Sequence, residues 1–200
     1  MPTRKIIIPT FFVLLFLLRY YDFFVLYQPV QPFSTGFEPT LETFTLYNYL
    51  LRVILLAFKF LLIAIVLSAG IFLEGKTNKN DQASLKDLAL LAVLSEYVYF
   101  LSDIYKIFQF TFVNTYYTYE DYKDFSPLSL FDLLEIESGS NYAYFFQAIN
   151  VFELSYIVCL ILGLRKLQYA EGTKAVSVTL ASYGGALMIW ILTVTYFTLR

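Results

Sequence analysis

The chain of 200 residues has no histidine and one cysteine, Cys159. Without histidine there is no Ser-His-Asp or Cys-His pair, no histidine-ligated zinc and no axial histidine for haem. One cysteine allows neither an internal disulfide nor a cysteine cluster. No metal and no cofactor is expected. Charge is also scarce: charged residues are 15% of the chain and hydrophobic ones 58%, against about 25% and about 45–50% in soluble domains. So few charges cannot cover the surface of a water-soluble domain of this size. The abundant apolar and aromatic residues exclude disorder. The net charge of −2 provides no basic footprint, so nucleic acid is not an expected partner. No GxSxG, HExxH, P-loop or GxGxxG pattern occurs. Cys159 lies among Ile157, Val158, Leu160 and Ile161, an apolar setting that keeps a thiol inert. The chain is not expected to be an enzyme.

What is present is long apolar runs. A helix needs about 20 apolar residues to cross the hydrocarbon, and five segments approach this: about 6–27, 46–73, 88–113, 142–164 and 175–199. The expected fold class is all-α, a single-domain polytopic membrane bundle of five transmembrane helices. The fifth segment carries no charge from Ala175 to Leu199. The first is preceded by Arg4 and Lys5 and ends in Arg19-Tyr20-Tyr21-Asp22, with no small-x-small cleavage site. It reads as an uncleaved span, with an interfacial amphipathic helix as the alternative.

Loop charges alternate. Arg4, Lys5, Lys76, Lys79, Lys86, Arg165, Lys166 and Lys174 fall on one side of a five-span chain. Glu38, Glu42, Glu120, Asp121, Asp124, Asp132, Glu135 and Glu137 fall on the other, with only Lys123 and Arg200 opposing them. The positive-inside rule then places the N-terminus in the cytoplasm and the C-terminus outside. Many tyrosines, Tyr116, Tyr117, Tyr119 and Tyr122 among them, gather at the outer ends, where a ring can be buried and its hydroxyl wet. They anchor the chain or offer a contact surface. The outer loop 28–45 contains Pro29, Pro32 and Pro39 and reads as irregular. In the outer loop 114–141, Ser126-Pro127 opens an expected short interfacial helix with Leu128, Phe131 and Leu134 on its apolar face. Glu120, Asp121 and Asp124 lack the spacing of a calcium loop and read as a solvated acidic stretch.

Two patterns stand out within the spans. Ser177, Ala181 and Gly185 form a small-residue packing face on the fifth, directed at another span or at a partner helix. Intramembrane charge is the second: Arg52, Lys59, Glu96, Asp103, Lys106 and Glu153, with Arg19 and Asp22 in the first segment. Such residues are costly unless paired, and they often mark function. Arg52 and Lys59 are seven apart on the second span, as are Glu96 and Asp103 on the antiparallel third. Their spacing predicts a ladder of Arg52 with Asp103 and Lys59 with Glu96, with Lys106 joining the upper rung or snorkelling outward.

The layout resembles the Yip1 family of small five-span membrane proteins. The resemblance rests on Glu74-Gly75-Lys76-Thr77 after the second span, Gly163-Leu164-Arg165-Lys166-Leu167-Gln168 closing the fourth, and Thr173-Lys174-Ala175 opening the fifth. The Asp-Leu-Tyr-Gly-Pro signature of eukaryotic members is missing, so an association with small GTPases is not implied. The resemblance implies a non-catalytic protein acting through protein partners. The expected function is a membrane scaffold or accessory subunit in a bacterial inner membrane, contacting lipid and either a second copy or a protein partner. The alternative is a small transporter or channel component using the intramembrane carboxylates.

Overall fold

A computed structural model describes residues 4–27, 46–74, 84–134, 136, 140, 142–170 and 172–198. The proline-bearing loop 28–45, Lys76, Lys79, Glu135, Glu137 and Arg200 lie outside the described residues. Most of those described are helical, with no strand among them and one isolated bridge, Ser129 to Asn150.

Helix α1, Arg4–Tyr21, runs into a π-helical turn, Asp22–Tyr27. Helix α2 is Leu46–Leu73, and α3 is Leu85–Phe108 continued by a π turn, Gln109–Val113. Short helices follow: α4, Tyr119–Asp124; α5, Leu130–Leu133; α6, Ala143–Ala148. Helix α7 is Val151–Lys166. Helix α8, Gly172–Thr179, passes through a π turn, Leu180–Gly184, into α9, Gly185–Thr198.

Three of these are long and apolar enough to cross a membrane: Tyr49–Leu73, Leu85–Val113 and Gly172–Thr198. On α2, Ile54, Leu55, Phe58, Leu61 and Ile65 face outward and are exposed, while Phe60, Ile63, Ala64, Leu67 and Ile71 are buried. A helix with large apolar residues exposed as well as buried has an outer face suited to lipid rather than water. These features are compatible with an integral membrane protein.

The first and fourth segments depart from the five-span expectation. The apolar part of α1 is shorter, Ile6–Tyr21, and the chain turns π-helical at Asp22. The fourth segment is not one helix over 142–164. It breaks at Ile149–Asn150, leaving α7 with 16 residues, about 24 Å at 1.5 Å per residue and short of the ~30 Å core. The cause is Asn150. Its backbone is extended and its side chain caps α7, accepting from the Glu153 N–H at 2.8 Å. Residues of the loop 114–141 complete the break: the Leu130 N–H donates to Ile149 O at 2.9 Å and the Val151 N–H to Leu128 O at 3.1 Å. The helix expected from Ser126-Pro127 begins instead after Ser129, whose hydroxyl caps Asp132. Glu120, Asp121 and Asp124 lie on α4, where Thr118 and Asp121 form a capping box.

The chain divides into two compact units. One comprises Met1–Ala57 and Tyr99–Pro127, the other Phe58–Val98 and Leu128–Arg200. In the first, Leu26, Phe110 and Tyr122 are buried against Tyr21, Ile107, Tyr117 and Phe125. Phe11 of α1 packs on Phe100 of α3 with ring centroids 5.0 Å apart. In the second, burial follows the helical period: Phe152, Tyr156, Leu160 and Leu164 on α7 are buried, as are Leu88, Leu91 and Ala92 on α3 and Ala175, Val178 and Thr179 on α8. Two glycines set close approaches there. A Cβ on Gly70 would lie 2.8 Å from Ser182 Cβ, and one on Gly163 would clash with the Leu91 side chain.

Candidate functional site

The charged residues inside the apolar segments are the chemically distinctive feature. Each unit holds its own set.

In the second unit, Lys59 of α2 reaches Glu96 of α3. Its Nζ donates to both carboxylate oxygens at 2.8 Å. Glu96 is buried, whereas the Lys59 side chain is 38% exposed. Lys59 Nζ also stands 5.5 Å from the centroid of the Tyr156 ring. The buried Tyr156 hydroxyl donates to Ala92 O at 3.5 Å, and its ring lies 5.2 Å from that of Tyr183. The Tyr183 hydroxyl donates to Glu153 Oε1 at 2.8 Å. Glu153 stands in the first turn of α7, beside the break in the fourth segment. Trp190 Nε1 donates to Tyr144 Oη at 2.9 Å, joining α9 to α6.

In the first unit the partners differ from the expected ladder. Asp103 meets Arg19 at 3.4 Å; among the described residues no ion pair joins it to Arg52, which is exposed. The physical reason is the third helix in the packing. Helix α1 brings Arg19 between Asp103 and Asp22, which lies 3.8 Å from it, and a guanidinium has donors enough for two carboxylates. Among the described residues Lys106 makes no ion pair with Asp103. Its Nζ sits 3.5 Å from the centroid of the Tyr122 ring, a cation–π contact. The Tyr122 hydroxyl donates to Asp22 Oδ1 at 2.7 Å. Burial and that hydrogen bond to a carboxylate push the Tyr122 hydroxyl far above the ordinary tyrosine range. The Tyr117 hydroxyl donates to Leu26 O at 2.9 Å. Two tyrosines of the expected outer belt therefore tie α4 and the chain before it to the π turn that follows α1.

The small face of the fifth segment is not the face that packs against another span of the chain. Ser177 and Ala181 are exposed, and a Cβ on Gly185 would meet nothing within 4 Å. Close helix packing uses the neighbouring face, Val178 and Ser182 against Gly70. The π turn at Leu180–Gly184 widens the helix within this stripe, so a fixed i, i+4 reading does not carry through it.

What these groups can do follows from their partners. Asp22, Glu96, Asp103 and Glu153 each engage a side chain of the same unit. The chain matches no known protein family, no curated protein and no solved structure.

Proposed function

We propose that the chain is a non-catalytic integral membrane protein, a scaffold or accessory subunit that acts through a second copy or a partner in a larger membrane complex. One observation supports this above others: the four carboxylates within the apolar segments are each bonded to a cation or a tyrosine of their own unit. Partners of this kind offset the cost of placing charge in an apolar segment and support a packing role for the carboxylates. The reading includes five membrane segments, the N-terminus in the cytoplasm of a bacterial cell and the C-terminus outside, and the layout of the Yip1 family.

A second reading, a small transporter or channel component, draws on the broken fourth segment. Discontinuous helices often bind ions in transporters, and Glu153 lies in the turn after the break. The break is filled from within, however. Its backbone groups are bonded by Leu128 and Leu130, and the Glu153 carboxylate by Tyr183.

Purification in mild detergent with mass determination tests the first reading. A stoichiometric protein partner or a defined dimer is expected; a monodisperse protomer alone refutes it. In a Cys159→Ser background, an impermeant thiol probe should label Asp121→Cys and not Lys86→Cys in intact cells. The reverse pattern refutes the orientation.

A further inference from the structure

One end of the second unit gathers cations at three helix ends. Lys86 lies in the first turn of α3, Arg165 and Lys166 close α7, and Lys174 lies in the first turn of α8; all four are exposed. Specific bonds hold these ends together. The hydroxyl of Tyr169, in the turn after α7, accepts from the Ser84 N–H at 3.1 Å and donates to Asp87 Oδ2 at 3.2 Å. Arg165 Nη2 donates to Gly172 O at 2.9 Å, fastening the end of α7 to the start of α8. Near this end, Gly163 lets α7 press on Leu91 of α3.

Among the described residues two acids, Asp87 and Glu74, stand near these four cations, so positive charge is in excess. Asp87 already accepts the Tyr169 hydroxyl, and Glu74, at the end of α2, is a single exposed carboxylate. Two of the three helices that start or stop here are long enough to cross a membrane. The cations therefore stand where such helices leave the hydrocarbon, at headgroup level. Lysine and arginine clusters at that depth attract anionic lipid, and the long side chains suit it because their stems lie along apolar surface while the charged heads reach outward.

We propose that Lys86, Arg165, Lys166 and Lys174 form a headgroup site for anionic phospholipid, framed by the Tyr169 clamp. The site acts on the lipid phosphate through charge and hydrogen bonds and is independent of which protein partner the chain has.

The test uses the full chain in mild detergent. Native mass spectrometry counts bound phosphatidylglycerol and phosphatidylcholine. The unsubstituted chain should retain phosphatidylglycerol preferentially. Each cation replaced by glutamine should lower that retention about fivefold, the effect of one cation near an anionic surface, and leave phosphatidylcholine unchanged. The variant carrying Lys86→Gln, Arg165→Gln, Lys166→Gln and Lys174→Gln should show no preference. If it fails to fold, Lys166→Gln and Lys174→Gln singly carry the same expectation. Lys123→Gln, on α4 outside this patch, should retain the preference. Equal retention of the two lipids by the unsubstituted chain overturns the proposal, as does a preference that survives the substitutions. Full displacement of phosphatidylglycerol by inorganic phosphate also overturns it, because the site would then serve a soluble anion.

Discussion

The bond between Lys59 and Glu96 predicts an unequal pair of single variants and a rescue. Both carboxylate oxygens lie 2.8 Å from the ammonium, but the two side chains are not equally placed: that of Glu96 is 9% exposed and that of Lys59 is 38%. Lys59→Met strands the buried partner. Breaking a buried pair costs about 3–5 kcal/mol in soluble interiors because an uncompensated charge is left inside. Glu96→Gln strands the more exposed one. Lys59 retains an amide oxygen at Glu96→Gln, the Tyr156 ring 5.5 Å away and access to the surroundings, so the cost should be about 1–2 kcal/mol. The double variant carries no stranded charge and should lose only about 2 kcal/mol, the bond and its packing. The coupling in the double-mutant cycle is then at least about 2 kcal/mol. Unfolding in mixed detergent micelles, followed by circular dichroism, measures all four proteins. Equal single variants with additive losses would refute the reasoning, since the pair would then be energetically idle.

Gly163→Ala should destabilise by about 1–3 kcal/mol through overpacking on Leu91, whereas Gly185→Ala, whose Cβ would meet nothing within 4 Å, should gain about 0.5–1 kcal/mol from helix propensity; thermal unfolding distinguishes them. Gln168 ends α7 at φ 60°, with the Tyr169 N–H reaching back to Leu164 O and its own N–H to Arg165 O, a helix-closing motif that favours glycine. Gln168→Gly should therefore raise stability by about 0.5–1 kcal/mol, and a lower melting temperature would contradict this. Tyr122 holds its proton in the folded chain beyond the point at which an unfolded tyrosine releases it. Its contribution is thus full below about pH 10 and falls as pH rises further, because only the unfolded state loses the proton. Tyr122→Phe should cost about 1.5–3 kcal/mol near neutral pH and flatten the alkaline slope seen in melting curves.

The long helices are legible because composition alone sets them. The apolar run 46–73 coincides with α2, Leu46–Leu73, since no proline or acidic residue interrupts it. The break at Asn150 is hidden for the opposite reason. One asparagine within an apolar run is compatible with a continuous helix, and only tertiary partners, Leu128 and Leu130, make the extended backbone affordable. The signal for α4, Thr118 three residues before Asp121, is present in the sequence but lies inside an acidic stretch that reads as loop. The Lys59–Glu96 contact follows from seven-residue spacing on two antiparallel helices. That Asp103 pairs with Arg19 does not, because nothing in α2 or α3 records how α1 packs beside Asp103. The same limit applies to Tyr183 and Glu153, whose bond depends on how α7 meets the π turn before α9.

The central claim is that the intramembrane charges hold helices together and do not conduct. Proton and cation flux into proteoliposomes containing the purified chain tests it most directly. The account predicts flux no greater than in empty liposomes, for the unsubstituted chain, for Glu96→Gln and for Glu153→Gln alike. Flux through the unsubstituted chain that either substitution abolishes while the fold remains intact would contradict it.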